Sequence, residues 1–447
     1  MLKPNNNKNG KSRLISSSEG SHLGRMEARK SAGDSISSTD YAQVLQQQEF
    51  LSFGNAAIYV HLPFCASRCL SCSSNTTVTH DSNDVDRYLD NLSHEMELAT
   101  QLMGAGRTLA QLHLGGGTPN YLTEPQLMRL MGIIEQYFVL DDSTAMSLDA
   151  SPRRSSWTQL ELLKGLGFQH INFEVRDLNP TVQMALGRSD SFHMLQDVFN
   201  NVRESGLQTI SMDLVYGLPQ QSMASIDISL KQIKELGPDR VACHTYSRKP
   251  DSFTHQRAID PASLPSLSDR LIMFNSIVDH MQDEGYTWVG LDYFAKSDDP
   301  LAIAQDQHML YRNWIGYNMH GSPNMLGFGT NAISETSSGV CTQNHLHIPE
   351  WQAAVGRNEL PIRGGVLLSE KERQHRRAIS GLLCNMELGD YASLLGIEGD
   401  EGSLKNLEED GVIQILDGKA VITAQGRYTL HHIFGDTSQQ DPWISIW

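Results

Sequence analysis

The chain has 447 residues, of which 39% are hydrophobic and 36 are glycine. That is an ordinary globular composition, enough for one large barrel with attachments or for up to three domains. The net charge of −17, from 35 basic and 52 acidic residues, argues against binding to nucleic acid or anionic lipid, both of which draw on excess Lys and Arg. No apolar run approaches the length of a membrane span, and six cysteines are too few for a disulfide scaffold, so a cytoplasmic protein is expected.

In chain order, residues 1–50 come first and are rich in Asn and Ser, with few apolar positions and no helical stripe. They are expected to be disordered or loosely attached, because such a stretch cannot bury enough surface to offset its ordering entropy. From residue 57 short apolar runs alternate with helical periods. Strands are predicted at 57–62, 109–114, 145–150, 169–174, 208–215, 239–245 and 287–292. Between them lie stripes such as Val85, Tyr88, Leu89, Leu92 and Met96, or Ile226, Ile228, Leu230 and Ile233. This order predicts an α/β fold, a partial or full parallel β/α barrel over residues 51–335, with its chemistry at the C-terminal ends of the strands. Residues 336–366 read as a connector. Residues 367–447 read as a small winged-helix-like α+β domain: a helix over 367–383, the end of another at 404–410, and two β runs, 412–416 and 420–423, around Asp417-Gly418.

The sharpest local feature is Cys65-x-x-x-Cys69-x-x-Cys72, on the loop leaving the first predicted barrel strand. A structural zinc ion would want four N or S ligands, usually as two Cys pairs, and Cys243, Cys341 and Cys384 are scattered singly. Three clustered thiolates suit a [4Fe–4S] cluster with one iron left open to an outside ligand.

That spacing after a first β-strand resembles the radical S-adenosylmethionine (SAM) superfamily. Tyr59-Val60-His61-Leu62-Pro63-Phe64-Cys65, His113-Leu114-Gly115-Gly116-Gly117-Thr118-Pro119 and Asp213-Leu214-Val215-Tyr216-Gly217-Leu218-Pro219 narrow the resemblance. They are similar to the oxygen-independent coproporphyrinogen III oxidases and their relatives, as are Gly290-Leu291-Asp292-Tyr293-Phe294-Ala295, Arg312-Asn313-Trp314-Ile315-Gly316-Tyr317 and Leu326-Gly327-Phe328-Gly329.

The resemblance implies Cys65, Cys69 and Cys72 as cluster ligands. It implies Tyr59, Gly116, Gly117, Thr118 and Asp149 as contacts of the SAM bound to the open iron. Arg176, Arg188, Asp213, Ser247 and Ile333 fall on positions tied to a second SAM. It further implies an oxidoreductase of heme biosynthesis, a tetrapyrrole substrate, an electron donor such as flavodoxin or ferredoxin, and a monomer. A tetracarboxylate substrate calls for cations near strand ends, for which Arg176, Arg248, Lys249 and Arg312 are candidates. His61 and His113, among apolar neighbours, read as packed and hydrogen-bonded, and the pairs His345/His347 and His431/His432 as incidental.

Several positions depart from the family pattern. Ser71 replaces an aromatic, Ser74 an additional cysteine, and Arg176 and Ile315 each a glutamine, while residues 1–50 lack the oxidase's Arg/Tyr-rich segment. Two other readings therefore stand beside the oxidase: a radical SAM methyltransferase of the same subgroup, and a non-catalytic tetrapyrrole-binding relative.

Overall fold

The computed structural model describes residues 34–47, 56–322, 324–388, 405, 408–416 and 419–428. Strand β1 (Asp34–Ile36) and helix α1 (Ser38–Gln46) come first. A run of strand–helix steps follows: β2 (Ala56–Leu62), α2 (Ser82–Met103), β3 (Arg107–Gly116), α3 (Glu124–Tyr137), β4 (Ala145–Ala150) and α4 (Trp157–Gly165). It continues with β5 (His170–Arg176), α5 (Phe192–Ser205), β6 (Thr209–Tyr216), α6 (Met223–Leu236), β7 (Arg240–Thr245) and α7 (Leu267–Asp283).

The helices form where the sequence supplies both a stripe and a start signal. In α2, Val85, Tyr88, Leu89, Leu92, Met96 and Met103 are buried along one face, and the Asp81 carboxylate caps the first turn by accepting from the Asn83 N–H. In α6, Ser222 and Ser225 form a capping box, and Ile226, Leu230 and Ile233 face the sheet while Ile228 is exposed. Consecutive β/α steps give parallel strands because each helix carries the chain back to the end of the sheet where the previous strand began. Strands β2 to β7 are parallel in sequence order, and β12 (Met325–Phe328) joins them beside β2.

Among the described residues the sheet does not close on itself, so the barrel is partial. Beyond β7 it continues antiparallel through β9 (Tyr293–Lys296) to β8 (Tyr286–Val289). Beyond β12 it continues antiparallel through β13 (Ile333–Glu335), β14 (Val340–Asn344) and β15 (Ile362–Leu367) to β1. A hairpin of β10 (Tyr311–Asn313) and β11 (Gly316–Asn318) stands apart from this sheet.

Four sequence expectations are corrected. Residues 34–47, expected to be loose, are seated: β1 pairs with the edge of β15, α1 buries Tyr41 and Leu45, and Ser37 and Asp40 cap the helix reciprocally. Two or three apolar side chains suffice there because the open edge of β15 supplies the backbone partners. The remainder of residues 1–50 lies outside the described residues. The run at 287–292 is not a further parallel strand; the chain turns at residues 290–292 and pairs back on itself as β8 and β9. Residues 336–366 are not a connector but carry β14, helix α8 (Ile348–Gly356) and β15, which widen the main sheet. The next helix, α9 (Glu370–Asn385), begins only after β15 has ended. Beyond α9 lies a three-stranded antiparallel sheet, Glu387–Leu388, Lys419–Ile422 and Ile413–Leu416, in that spatial order. The expected Asp417-Gly418 turn and His431/His432 fall outside the described residues.

Candidate active site

The barrel strands bury apolar side chains toward the helices and turn polar ones inward. Strand β5 shows the alternation best: Ile171, Phe173 and Val175 are fully buried, whereas His170, Asn172, Glu174 and Arg176 are less so. Three of those, with Tyr59 and His61 of β2, Gln111 and His113 of β3, Ser147 and Asp149 of β4, Asp213 of β6 and His244 of β7, line one cavity of about 1210 Å³. A sheet face that were only core would be apolar here, so the inner layer is built to hold polar ligands.

The cysteine loop lies where β2 ends. Cys65 and Cys72 are buried and Cys69 is half-buried. The loop is held from three sides. Gly117 donates its N–H to Leu62 O at 2.8 Å and Thr118 to Phe64 O at 2.9 Å. His255 and Gln256 reach the Cys72 carbonyl at 2.8 and 3.0 Å. The Arg188 guanidinium contacts Cys69 Sγ at 3.6 Å. Arg188 is itself fixed by Glu174 O at 2.7 Å and by Asp190 at 2.8 Å, and Asp190, its side chain only 1% exposed, also takes Arg153 at 2.5 Å. A Cβ on Gly117 would lie 2.7 Å from the Pro63 carbonyl and 2.8 Å from Phe64 O. The glycine there admits the cysteine loop, and its N–H ties the end of β3 to the last residue of β2.

Inside the cavity a hydrogen-bonded row fixes the aromatic and imidazole rings. His61 Nε2–H donates to Asn75 O at 3.1 Å, which leaves Nδ1 to accept the Tyr59 hydroxyl at 3.0 Å. Burial drives the His61 pKa down to about 4, so this ring stays neutral. His113 meets Ser147 Oγ at 2.8 Å and Asp149 Oδ2 at 3.5 Å. Burial alone would raise the Asp149 carboxyl, but His113 beside it and the Asn172 amide at 3.1 Å outweigh that and hold it low. Asp213 goes the other way: burial pushes it up to about 7, with His244 holding back part of the rise. Gly116 (φ +112) leaves room for the His61 ring, which a Cβ would meet at 2.8 Å.

Of the residues expected at the site, Tyr59, Gly116, Asp149, Asp213 and Ile333 line the cavity. Gly117, Thr118 and Arg188 stand instead behind or against the cysteine loop, and Ser247, just after β7, lies outside the lining. Arg176 closes β5 through a register shift that leaves it at φ 70, a conformation uncommon for any residue but glycine, at the kind of strand irregularity that is over-represented next to active sites. Its guanidinium lies 3.6 Å from Glu174. His61 and His113 are packed and hydrogen-bonded, as expected. Asn172, Glu174, His244 and Asp292 were not singled out from sequence, although the polar side of the β5 alternation is a signal that could have found the first two.

The thiols fit an iron–sulfur cluster better than a single metal ion. Burial pushes Cys65 up to about 11 and raises Cys72 as well, so ionising them needs positive charge brought to the loop, which metal binding supplies as it displaces the protons. No three His, Cys, Asp or Glu side chains among the described residues converge on one ion position, as a preformed zinc site would require. A cluster spreads its ligands over separate irons and needs no such convergence.

A partial parallel barrel carrying this triad after its first parallel strand defines the radical SAM class, and residues 59–245 match the Radical SAM superfamily. The chain is 33% identical over 387 residues to the oxygen-independent coproporphyrinogen III oxidase of Escherichia coli (strain K12), with 84% of each chain covered. It is 33% identical over 388 residues to the Pseudomonas aeruginosa enzyme of the same name, again with 84% of each covered. The solved structure of coproporphyrinogen III oxidase from Escherichia coli, described as a radical SAM enzyme, superposes with a TM-score of 0.83 at 31% identity, covering 89% of this chain and 92% of that one. The chain belongs to the oxygen-independent coproporphyrinogen III oxidase family.

Proposed function

We propose that this protein is an oxidoreductase of heme biosynthesis that converts propionate side chains of coproporphyrinogen III to vinyl groups without oxygen. The observation that carries the reading is the polar-lined cavity of about 1210 Å³ that begins at Ser73 and Ser74, directly after Cys72, and extends through the barrel. That volume exceeds the range of about 300–1,000 Å³ usual for one ligand, so a nucleoside cofactor and a tetrapyrrole can share it. Cys65, Cys69 and Cys72 would hold a [4Fe–4S] cluster. With SAM bound to its open iron, the cluster supplies hydrogen-atom abstraction.

The chain's own groups do the rest. Asp149, kept ionised by His113, offers a carboxylate to a cofactor ammonium or ribose hydroxyl. Tyr59 and His61 form a rigid neutral wall, and the closed cysteine loop excludes water. On the substrate, a hydrogen atom leaves the propionate β-carbon, the bond to the carboxylate breaks, CO2 departs, and one electron passes to an acceptor, leaving the vinyl group. The reading calls for a low-potential donor of the flavodoxin or ferredoxin type and for a single copy of the chain. The cytoplasm suits the six free cysteines, and no helix among the described residues is long and apolar enough to cross a membrane.

Anaerobic turnover of the reconstituted chain with reductant and coproporphyrinogen III tests this. Protoporphyrinogen IX, CO2 and 5′-deoxyadenosine are expected. Formation of S-adenosylhomocysteine without vinyl product would replace the reading with methyl transfer, and failure to cleave SAM at all would leave a non-catalytic relative.

A further inference from the structure

The cavity has two chemically different ends. Near the cysteine loop its polar atoms are mainly acceptors: Asp149, Glu174 and Asp213, with Asn172 Oδ1 buried and unbonded. Toward the far wall it meets the β10–β11 hairpin and helix α9, and there donors collect. Five arginines line it. Arg240 pairs with Asp299, Arg373 with Glu370 and Arg376 with Glu335. Arg312 and Arg377 have no carboxylate within 4.0 Å among the described residues. Arg312, on β10, lies 5.6 Å over the Tyr317 ring of β11. Two residues on, Trp314 also lines the cavity, and its buried indole N–H has no acceptor among the described residues. Helix α9 is fixed to this hairpin's approach by Asn385 Oδ1, which accepts the Leu310 N–H at 3.3 Å.

In a chain of net charge −17, guanidinium groups left unpaired beside a cavity are conspicuous. Arg312 is half-buried and Arg377 exposed. Half-buried donors normally find partners, so the unpaired Arg312 with the buried Trp314 N–H beside it carries the inference, Arg377 adding a solvent-side cation. The planar guanidinium fork matches a carboxylate in two parallel hydrogen bonds. The geometry points to Arg312 and Arg377, with Trp314 between the β strands of the hairpin, as the carboxylate-recognising end of the cavity, gripping propionates of a tetrapyrrole polycarboxylate. This rests on the substrate class proposed above and deepens it. The acceptor-rich end is left for the cationic cofactor, so charge helps order the two ligands: the sulfonium and ammonium toward Asp149, whose carboxyl is held low, the substrate carboxylates toward the hairpin. It also gives α9 a role beyond packing, as the wall that closes the open side of the partial barrel over the substrate.

Equilibrium binding of coproporphyrin III, the fluorescent oxidised tetracarboxylate, to the full chain tests the assignment, with its tetramethyl ester as comparison. The wild type is expected to prefer the acid to the ester. Arg312→Gln and Arg377→Gln should each weaken binding of the acid about tenfold at low ionic strength, with the loss shrinking as salt is added. Arg312→Lys, which keeps charge but loses the fork, should recover part of it. Arg87→Gln, on the exposed face of α2, should leave binding unchanged. Unaltered SAM binding and thermal melting in the same variants show that the loss is local. Wild-type affinity for coproporphyrin III in both glutamine variants overturns the assignment of this end. Failure of the wild type to bind coproporphyrin III overturns the substrate reading instead.

Discussion

Replacing Gly117 by alanine should loosen the cysteine loop without touching a thiol. The added Cβ would sit 2.7 Å from the Pro63 carbonyl carbon and oxygen and 2.8 Å from Phe64 O. These are backbone atoms already engaged: Pro63 O accepts Thr77 N–H at 2.7 Å, and Phe64 O accepts Thr118 N–H at 2.9 Å. Relief therefore means moving the end of β3 away from the loop. That combines about 1–3 kcal/mol of overpacking with weakening of two hydrogen bonds worth about 0.5–1.5 kcal/mol each, or about 2–6 kcal/mol together. For a chain of 447 residues the unfolding entropy is about 0.9 kcal/mol/K, so the loss corresponds to a fall in Tm of about 2–6 °C. Because Cys65 follows Phe64 directly, iron and sulfide retained after anaerobic reconstitution should fall in parallel. Gly132→Ala in α3 is the comparison: a Cβ there meets nothing within 4 Å, and alanine favours the helix, so Tm should hold or rise slightly. A Gly117→Ala protein with wild-type Tm and full iron content would refute the reasoning.

Two further outcomes follow from buried charge. Glu95, 2% exposed, accepts from Gly329 N–H, Asn344 and Trp351 at 2.8, 2.6 and 3.0 Å, yet burial still pushes it up to about 7 from 4.5. Between those two values the native chain keeps a proton that the unfolded chain has lost, so stability should fall as pH rises across that window, by about 3 kcal/mol. Glu95→Gln should remove that slope in urea unfolding, and parallel wild-type and variant curves would count against it. Arg188→Gln removes the N–H contact to Cys69 Sγ and a fixed positive charge, so the reduction potential of the bound cluster should become more negative. A redox titration followed by electron paramagnetic resonance reads this directly, and an unchanged midpoint would show that Arg188 only braces Asp190.

Much of the fold was legible because local periodicity encodes which face of each element is buried. The strand predictions from 57–62 to 239–245 match β2 to β7 to within a few residues, and the apolar stripe of α2 marked its buried face. The cysteine spacing and the loop that bears it were legible for the same reason: they are properties of one short segment. Local pattern could not say what each face would meet. The run at 287–292 has the composition of a parallel strand but pairs backward, because its neighbour in the sheet is β9. Residues 34–47 have too few apolar side chains to order by themselves, and they fold onto a β15 edge that lies more than 300 residues away in the chain.

The site divides in the same way. Sequence by itself determined the three thiols and the barrel strands that follow them, β5 among them. Only the tertiary structure decided that Gly117 serves the cysteine loop, that Arg188 meets Cys69, and that the β10–β11 hairpin and α9 close the far wall with Arg312 and Arg377. The reason is the range of the interactions. Spacing along a chain fixes which residues share a face, whereas a cavity is made by faces contributed from distant segments, and its charge is set by which of those side chains have already found partners.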